Sequence, residues 1–195
     1  GVQTCALPIS SVQNGILNTE LGIPFRTPAE GHNVAFTSLW DNYPDSLEIP
    51  LKGKASRAYL LMAGSTNHMQ CHIDNGVIRI YYKDGTRDVM FLRNPDNWPP
   101  IEHIFFEDGL AFNRHTPALY RLRLKTGEIS NNFGEELGFP GASRELDGGA
   151  AVLLEMPLNP GKKLSHLVLE TLSNDVVIGL RSEEHTSELQ SQSTI

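Results

Sequence analysis

The chain has 195 residues, of which 39% are hydrophobic and 20% charged, with a formal charge of −7 at pH 7. That acidic balance excludes the basic footprint that nucleic-acid partners require. No apolar run reaches the length of a membrane-spanning helix.

Both ends of the sequence stand apart from the rest. Residues 181–191 look like the translation of a common sequencing-library adapter, and residues 1–9 match one frame of its reverse complement. On this reading residues 1–10 and 181–195 are adapter-derived. Residues 11–31 form a linker draped on the domain, and residues 32–180 are the domain itself, its last strand cut off at Leu180. The tail carries three acids and one base, so the charge without it is −5. Cys5 leaves with the first segment, and Cys71 alone makes no intrachain disulfide. About 170 residues are enough for one domain that buries roughly 70% of its chain surface.

Residues 11–30 are rich in Asn, Gly and Pro, and the spacing predicts a connecting segment tied down by Ile23 and Phe25. Residues 33–40 alternate, with Val34, Phe36 and Ser38 against Ala35, Thr37 and Leu39. Residues 46–51 predict a short strand that Pro50 confines to an edge or an end. From Ala58 to Ala63 every residue is apolar, which predicts a strand in a sheet covered on both sides. Residues 66–74 predict a strand with Met69, Cys71 and Ile73 inward and His68, Gln70 and His72 outward. Residues 77–92 predict a hairpin, because Asp84 and Gly85 form a two-residue turn signal between alternating runs. Pairing outward from it sets Ile80 opposite Val89 and Ile78 opposite Phe91.

Residues 94–114 predict a long proline-bearing loop, of a length that usually covers or does something. Residues 119–125 alternate, Tyr120, Leu122 and Leu124 against Arg121, Arg123 and Lys125. A Gly- and Asn-rich excursion over 127–149 precedes three more strands at 150–156, 164–172 and 176–180. Short strands at this spacing, with no sustained helical period, predict an all-β fold: an antiparallel two-sheet β-sandwich of jelly-roll or galactose-binding-like form. A closed barrel is the alternative.

Motifs that carry chemistry are sparse, and no catalytic residue is assigned. His68, Cys71 and His72 are metal-ligand types, but a strand sets the two histidines about 13 Å apart with Cys71 pointing away. No metal site or other cofactor follows. Glu102 and Glu107 could serve as a glycosidase acid and nucleophile only if held about 5 Å or about 6.5–9.5 Å apart across a cleft. Two loops set a tryptophan among Asn, Asp and Pro: Trp40 with Asp41, Asn42 and Tyr43, and Trp98 with Asn97. Sugar rings stack on flat aromatic faces while amides and carboxylates bond their hydroxyls, so these six residues are the carbohydrate-binding candidates. The competing reading is that each tryptophan plugs an end of the core. Arg121, Arg123 and Lys125 form a basic stripe, suited to an acidic polysaccharide or to guarding an edge strand by charge.

The runs Phe36-Thr-Ser-Leu-Trp-Asp-Asn-Tyr-Pro-Asp45, Tyr59-Leu-Leu-Met-Ala-Gly-Ser65, Asn94-Pro-Asp-Asn-Trp98 and Ser173-Asn-Asp-Val-Val-Ile-Gly-Leu180 carry a resemblance. They resemble the C-terminal β-sandwich regions of large secreted bacterial proteins related to glycoside hydrolases. These include a domain of unknown function found beside six-hairpin-glycosidase-like and rhamnosidase-like modules. The resemblance implies a non-catalytic accessory domain, a catalytic module in the same polypeptide as partner, polysaccharide as the material handled, and a periplasmic or cell-surface location.

Overall fold

The computed structural model of the chain describes residues 12–13, 15–19, 21–26, 34–104, 113–136 and 145–186. In chain order the strands are β1 (Val12–Gln13), β2 (Ile16–Asn18), β3 (Pro24–Arg26), β4 (Ala35–Ser38), β5 (Ser46–Pro50), β6 (Arg57–Thr66) and β7 (Gly76–Tyr82). They continue with β8 (Arg87–Leu92), β9 (Arg121–Arg123), β10 (Ile129–Ser130), β11 (Ala150–Pro157), β12 (Leu164–Thr171) and β13 (Val176–Thr186). A single helical turn, α1 (Phe133–Glu136), separates β10 from β11. The strands form a six-stranded sheet, β10-β9-β11-β6-β13-β4, a four-stranded sheet, β5-β12-β7-β8, and a three-stranded sheet, β1-β2-β3. Every pairing between these strands is antiparallel. The fold is an antiparallel β-sandwich.

Strand β6 lies inside the large sheet between β11 and β13, and both of its faces are covered. Leu60 and Met62 enter the core between the two larger sheets, where they join Ile78, Ile80, Leu154 and Ile178. Leu61 points the other way, with Leu122 and Leu153, under Leu17 and Phe25 of the small sheet. This is the physical reason for its uninterrupted apolar run: period-2 alternation between apolar and polar needs one wet face, and the middle of β6, over residues 58–63, has none, whereas Arg57 and Ser65 at its ends are exposed. Strands β1, β2 and β3 form a third layer over the large sheet. Phe25 and the partly buried Ile23 pack there, and Leu17, paired with Phe25, is buried as deeply. Burying each of Leu17 and Phe25 is worth about 1.5–3 kcal/mol, enough to hold so short a sheet in place.

Two predicted features take a different form. The 77–92 hairpin is present, but its loop has three residues, 83–85. Gly85 N–H donates to Tyr82 O at 3.1 Å and Tyr82 N–H to Thr86 O at 2.9 Å. Gly85, at φ 84°, is the left-handed third residue of that loop rather than the second of a two-residue turn. The extra residue slips the register by one, so Ile80 faces Asp88 and Ile78 faces Met90. Val89 and Phe91 are consequently exposed.

Residues 67–75 form a loop, not the predicted strand, and Met69 and Ile73 are exposed. Polar bonds to the backbone shape this loop. Buried Asn75 accepts from Thr66 Oγ1 at 2.5 Å and donates through Nδ2 to the carbonyls of Gln70 and Ile73. Its own N–H donates to Leu92 O at 2.8 Å. Such side-chain bonds compete directly with a strand ladder.

Strand β13 continues through Thr186, past the boundary expected at Leu180. The register against β6 shifts between Leu180 and Ser182, leaving Arg181 as the extra residue of a bulge. Beyond it Glu183 stands opposite Leu60 and His185 opposite Ala58.

Candidate functional site

The loop between β4 and β5 carries residues across from the large sheet to the four-stranded one. Its backbone is fixed from within. Ser38 N–H donates to Pro44 O at 3.1 Å, and Tyr43 N–H closes a turn on Trp40 O at 3.0 Å. The Ser38 hydroxyl donates to Val176 O at 2.7 Å and accepts from Trp40 N–H at 3.3 Å, anchoring the turn to β13. Trp40 is 49% exposed on this rigid base. The Tyr43 ring lies 6.5 Å from it at an interplanar angle of 58°, and Phe36 braces Tyr43 edge-on at 6.3 Å. Asp41 and Asn42 are exposed beside the pair. The corner therefore offers an accessible indole face, a second ring, a carboxylate and an amide on one turn.

Trp98 lies elsewhere and in a different environment. It is 1% exposed and belongs to the core between the sheets, so no ring face is available to a ligand. Asn97 is spent on the backbone: its Oδ1 accepts from Arg93 N–H at 2.7 Å and its Nδ2 donates to Phe91 O at 2.9 Å. Of the six sugar-binding candidates, Trp40, Asp41, Asn42 and Tyr43 are thus gathered at one corner, and Trp98 and Asn97 build the core and a turn.

The basic stripe dissolves on inspection of its first member. Arg121 is buried, and its guanidinium donates to the carbonyl oxygens of His103 at 2.6 Å, Pro100 at 2.9 Å, and Ile101 and Ala150 at 3.1 Å. Burial pulls its pKa down to about 10, with nearby Glu102 acting in the raising direction. Arg121 staples the 100–104 segment onto β9 and β11 and presents no charge to a polysaccharide. Arg123 pairs with Glu128 at 3.1 Å and Lys125 with Asp147 at 2.6 Å. Of the carboxylate pair, Glu102 lies beside Arg121, and Glu107 falls outside the described residues.

One cluster had no local signature in the sequence. His72 comes from the connection between β6 and β7, and Asp96 and His115 from the long one between β8 and β9; their ligand atoms all lie within 4.8 Å of one another. Asp96 Oδ2 sits 3.6 Å from His72 Nδ1 and 3.7 Å from His115 Nδ1, and the imidazole centroids are 4.4 Å apart. Asp96 is held in place by His115 N–H, which donates to its Oδ1 at 2.7 Å, and by the Thr116 hydroxyl on its carbonyl at 2.8 Å. Only the folding of the β8–β9 connection against the β6–β7 loop reveals it.

No family model matches the chain, and neither a curated protein nor a solved structure matches it.

Proposed function

We propose that this domain is a non-catalytic accessory β-sandwich of a polysaccharide-handling protein, and that it contacts glycan through the corner of Trp40, Asp41, Asn42 and Tyr43. One observation carries the reading: the half-exposed Trp40 indole is held beside Tyr43 on a turn whose backbone is already bonded. A preformed aromatic platform stacks a pyranose ring with little ordering cost, and the flanking carboxylate and amide supply partners for ring hydroxyls. The resemblance to domains beside glycosidase-like modules points the same way. It implies a catalytic module as partner in the same polypeptide, and a periplasmic or cell-surface location. A second reading, in which the domain packs against that module to orient it, draws on Val89 and Phe91, exposed on the edge strand β8.

Retention on immobilised polysaccharides separates these. The wild-type chain is expected to be retarded on at least one member of a panel of xylan, β-glucan, pectin and rhamnogalacturonan. Trp40→Ala should run unretarded with an unchanged melting temperature, since the side chain supports no core. Equal retardation of the two proteins, or none of the wild type on any polymer, would refute glycan contact at this corner.

A further inference from the structure

We propose that His72, Asp96 and His115 form a mononuclear site for a divalent transition ion, zinc being the best chemical match, that clips the β6–β7 connection to two points of the β8–β9 connection. The proposal is independent of glycan binding.

The spacing is the first argument. At 3.6 and 3.7 Å the carboxylate oxygen is too far from either imidazole nitrogen for a hydrogen bond. A tetrahedral zinc ion, with bonds of about 2.0–2.1 Å, separates its ligand atoms by about 3.4 Å. The carboxylate therefore stands from each imidazole near the distance that a shared ion sets, and all three ligand atoms stay within 4.8 Å of one another.

The state of His72 is the second argument, and it does not depend on those distances. Both of its ring nitrogens are shielded from solvent and neither has a hydrogen-bond partner. The side chain as a whole is half-buried, but shielded ring nitrogens ordinarily find at least one partner, because leaving such a group unbonded costs about 1–3 kcal/mol. His72 also holds a left-handed backbone conformation, φ 56°, uncommon away from glycine. Its N–H donates to Asn94 O at 2.7 Å, which ties its loop to the one that bears Asp96. A metal–nitrogen bond would satisfy the ring.

The donor set selects the ion. Two imidazoles and one carboxylate suit zinc and its neighbours among first-row ions, whereas calcium and magnesium prefer oxygen donors throughout. Two histidines and one carboxylate fill three positions of a tetrahedron. His115 is the outermost ligand, its side chain 63% exposed, so the fourth position opens toward solvent and takes water. The Asp96 Oδ1 contact with His115 N–H supplies part of the outer shell that fixes the carboxylate.

The experiment is titration of the EDTA-treated full chain with Zn2+ by calorimetry, together with Co2+ absorption, which reports ligand geometry. One equivalent of Zn2+ should bind and raise the melting temperature, and Co2+ should give the intense visible bands of a tetrahedral site. His115→Ala, at an exposed position, and Asp96→Asn, which keeps the Oδ1 contact, should each keep the apo melting temperature and weaken Zn2+ binding at least about tenfold. Wild-type protein that takes up no Zn2+ would overturn the proposal. So would variants that bind as tightly as the wild type, because the ion would then sit on other histidines.

Discussion

Gly64→Ala is expected to destabilise the domain by at least about 3 kcal/mol, at the upper end of what overpacking costs. A Cβ at this position would lie 2.0 Å from Val177 O and 2.8 Å from Cζ2 of Trp98. The oxygen belongs to β13, which pairs with β6 residue by residue here, Ile178 opposite Gly64. Relief would require the two strands to part at the middle of the large sheet. The Trp98 ring offers no alternative, since it is enclosed by the core. Urea unfolding should give a lower midpoint with an unchanged slope. A loss below about 1 kcal/mol would mean that Trp98 does not pack against this stretch of β6.

Arg121→Leu is expected to cost about 2–4 kcal/mol, although it replaces a charged residue with an apolar one in a buried place. The carbonyl oxygens of Pro100 and Ile101 keep backbone partners, His103 N–H and Ala150 N–H. That of Ala150, in a buried contact, loses the guanidinium, and a buried polar group stripped of its partner costs about 1–3 kcal/mol, to which the lost bond to His103 O adds. Lysine should recover little, because an ammonium cannot span four acceptors set out for a planar fork. The pH dependence has a definite sign. The folded guanidinium, near 10, gives up its proton at lower pH than the ordinary group does in the unfolded chain. Between the two pKa values the unfolded chain binds more protons, so this group adds a contribution to stability that rises with pH across the window. The leucine variant should lack that slope in denaturant titrations, and an identical slope in both proteins would contradict the assignment.

How far the residues reveal the fold in advance depends on the range of the interaction that decides each feature. The six apolar residues of β6 disclose burial on two sides because hydrophobicity alone sets that outcome. The 77–92 hairpin is equally visible, but its register is not: Asp84 and Gly85 suit both a two-residue turn and the three-residue loop that forms, and one residue of difference exchanges the faces of β8. Over residues 66–74 the alternation of Met69, Cys71 and Ile73 imitates a strand. The Asn75 side chain, bonded to Thr66, Gln70 and Ile73, determines a loop instead. Arg121 sits at a polar position of its strand, as the alternation implies. What covers that position is the 100–104 segment, and nothing within β9 announces it.

The candidate site divides in the same manner. Trp40 and Trp98 lie in loops of nearly the same composition, each among Asn, Asp and Pro. Only the path of the chain distinguishes them, since residues after β8 fold inward beneath Gly64 while the β4–β5 turn stays at the rim. His72, Asp96 and His115 are farther still from local legibility: 24 residues separate the first pair and 19 the second.

The two tryptophans permit the most direct test of the functional reading, because the chain has only these two indole N–H groups. In 15N–1H spectra of the labelled protein, titration with oligosaccharides from a retarding polysaccharide should shift the Trp40 indole resonance and the Asp41, Asn42 and Tyr43 amides. The Trp98 indole should stay where it is. Perturbation centred on Trp98, or a Trp40 signal that never moves while other regions respond, would contradict the account.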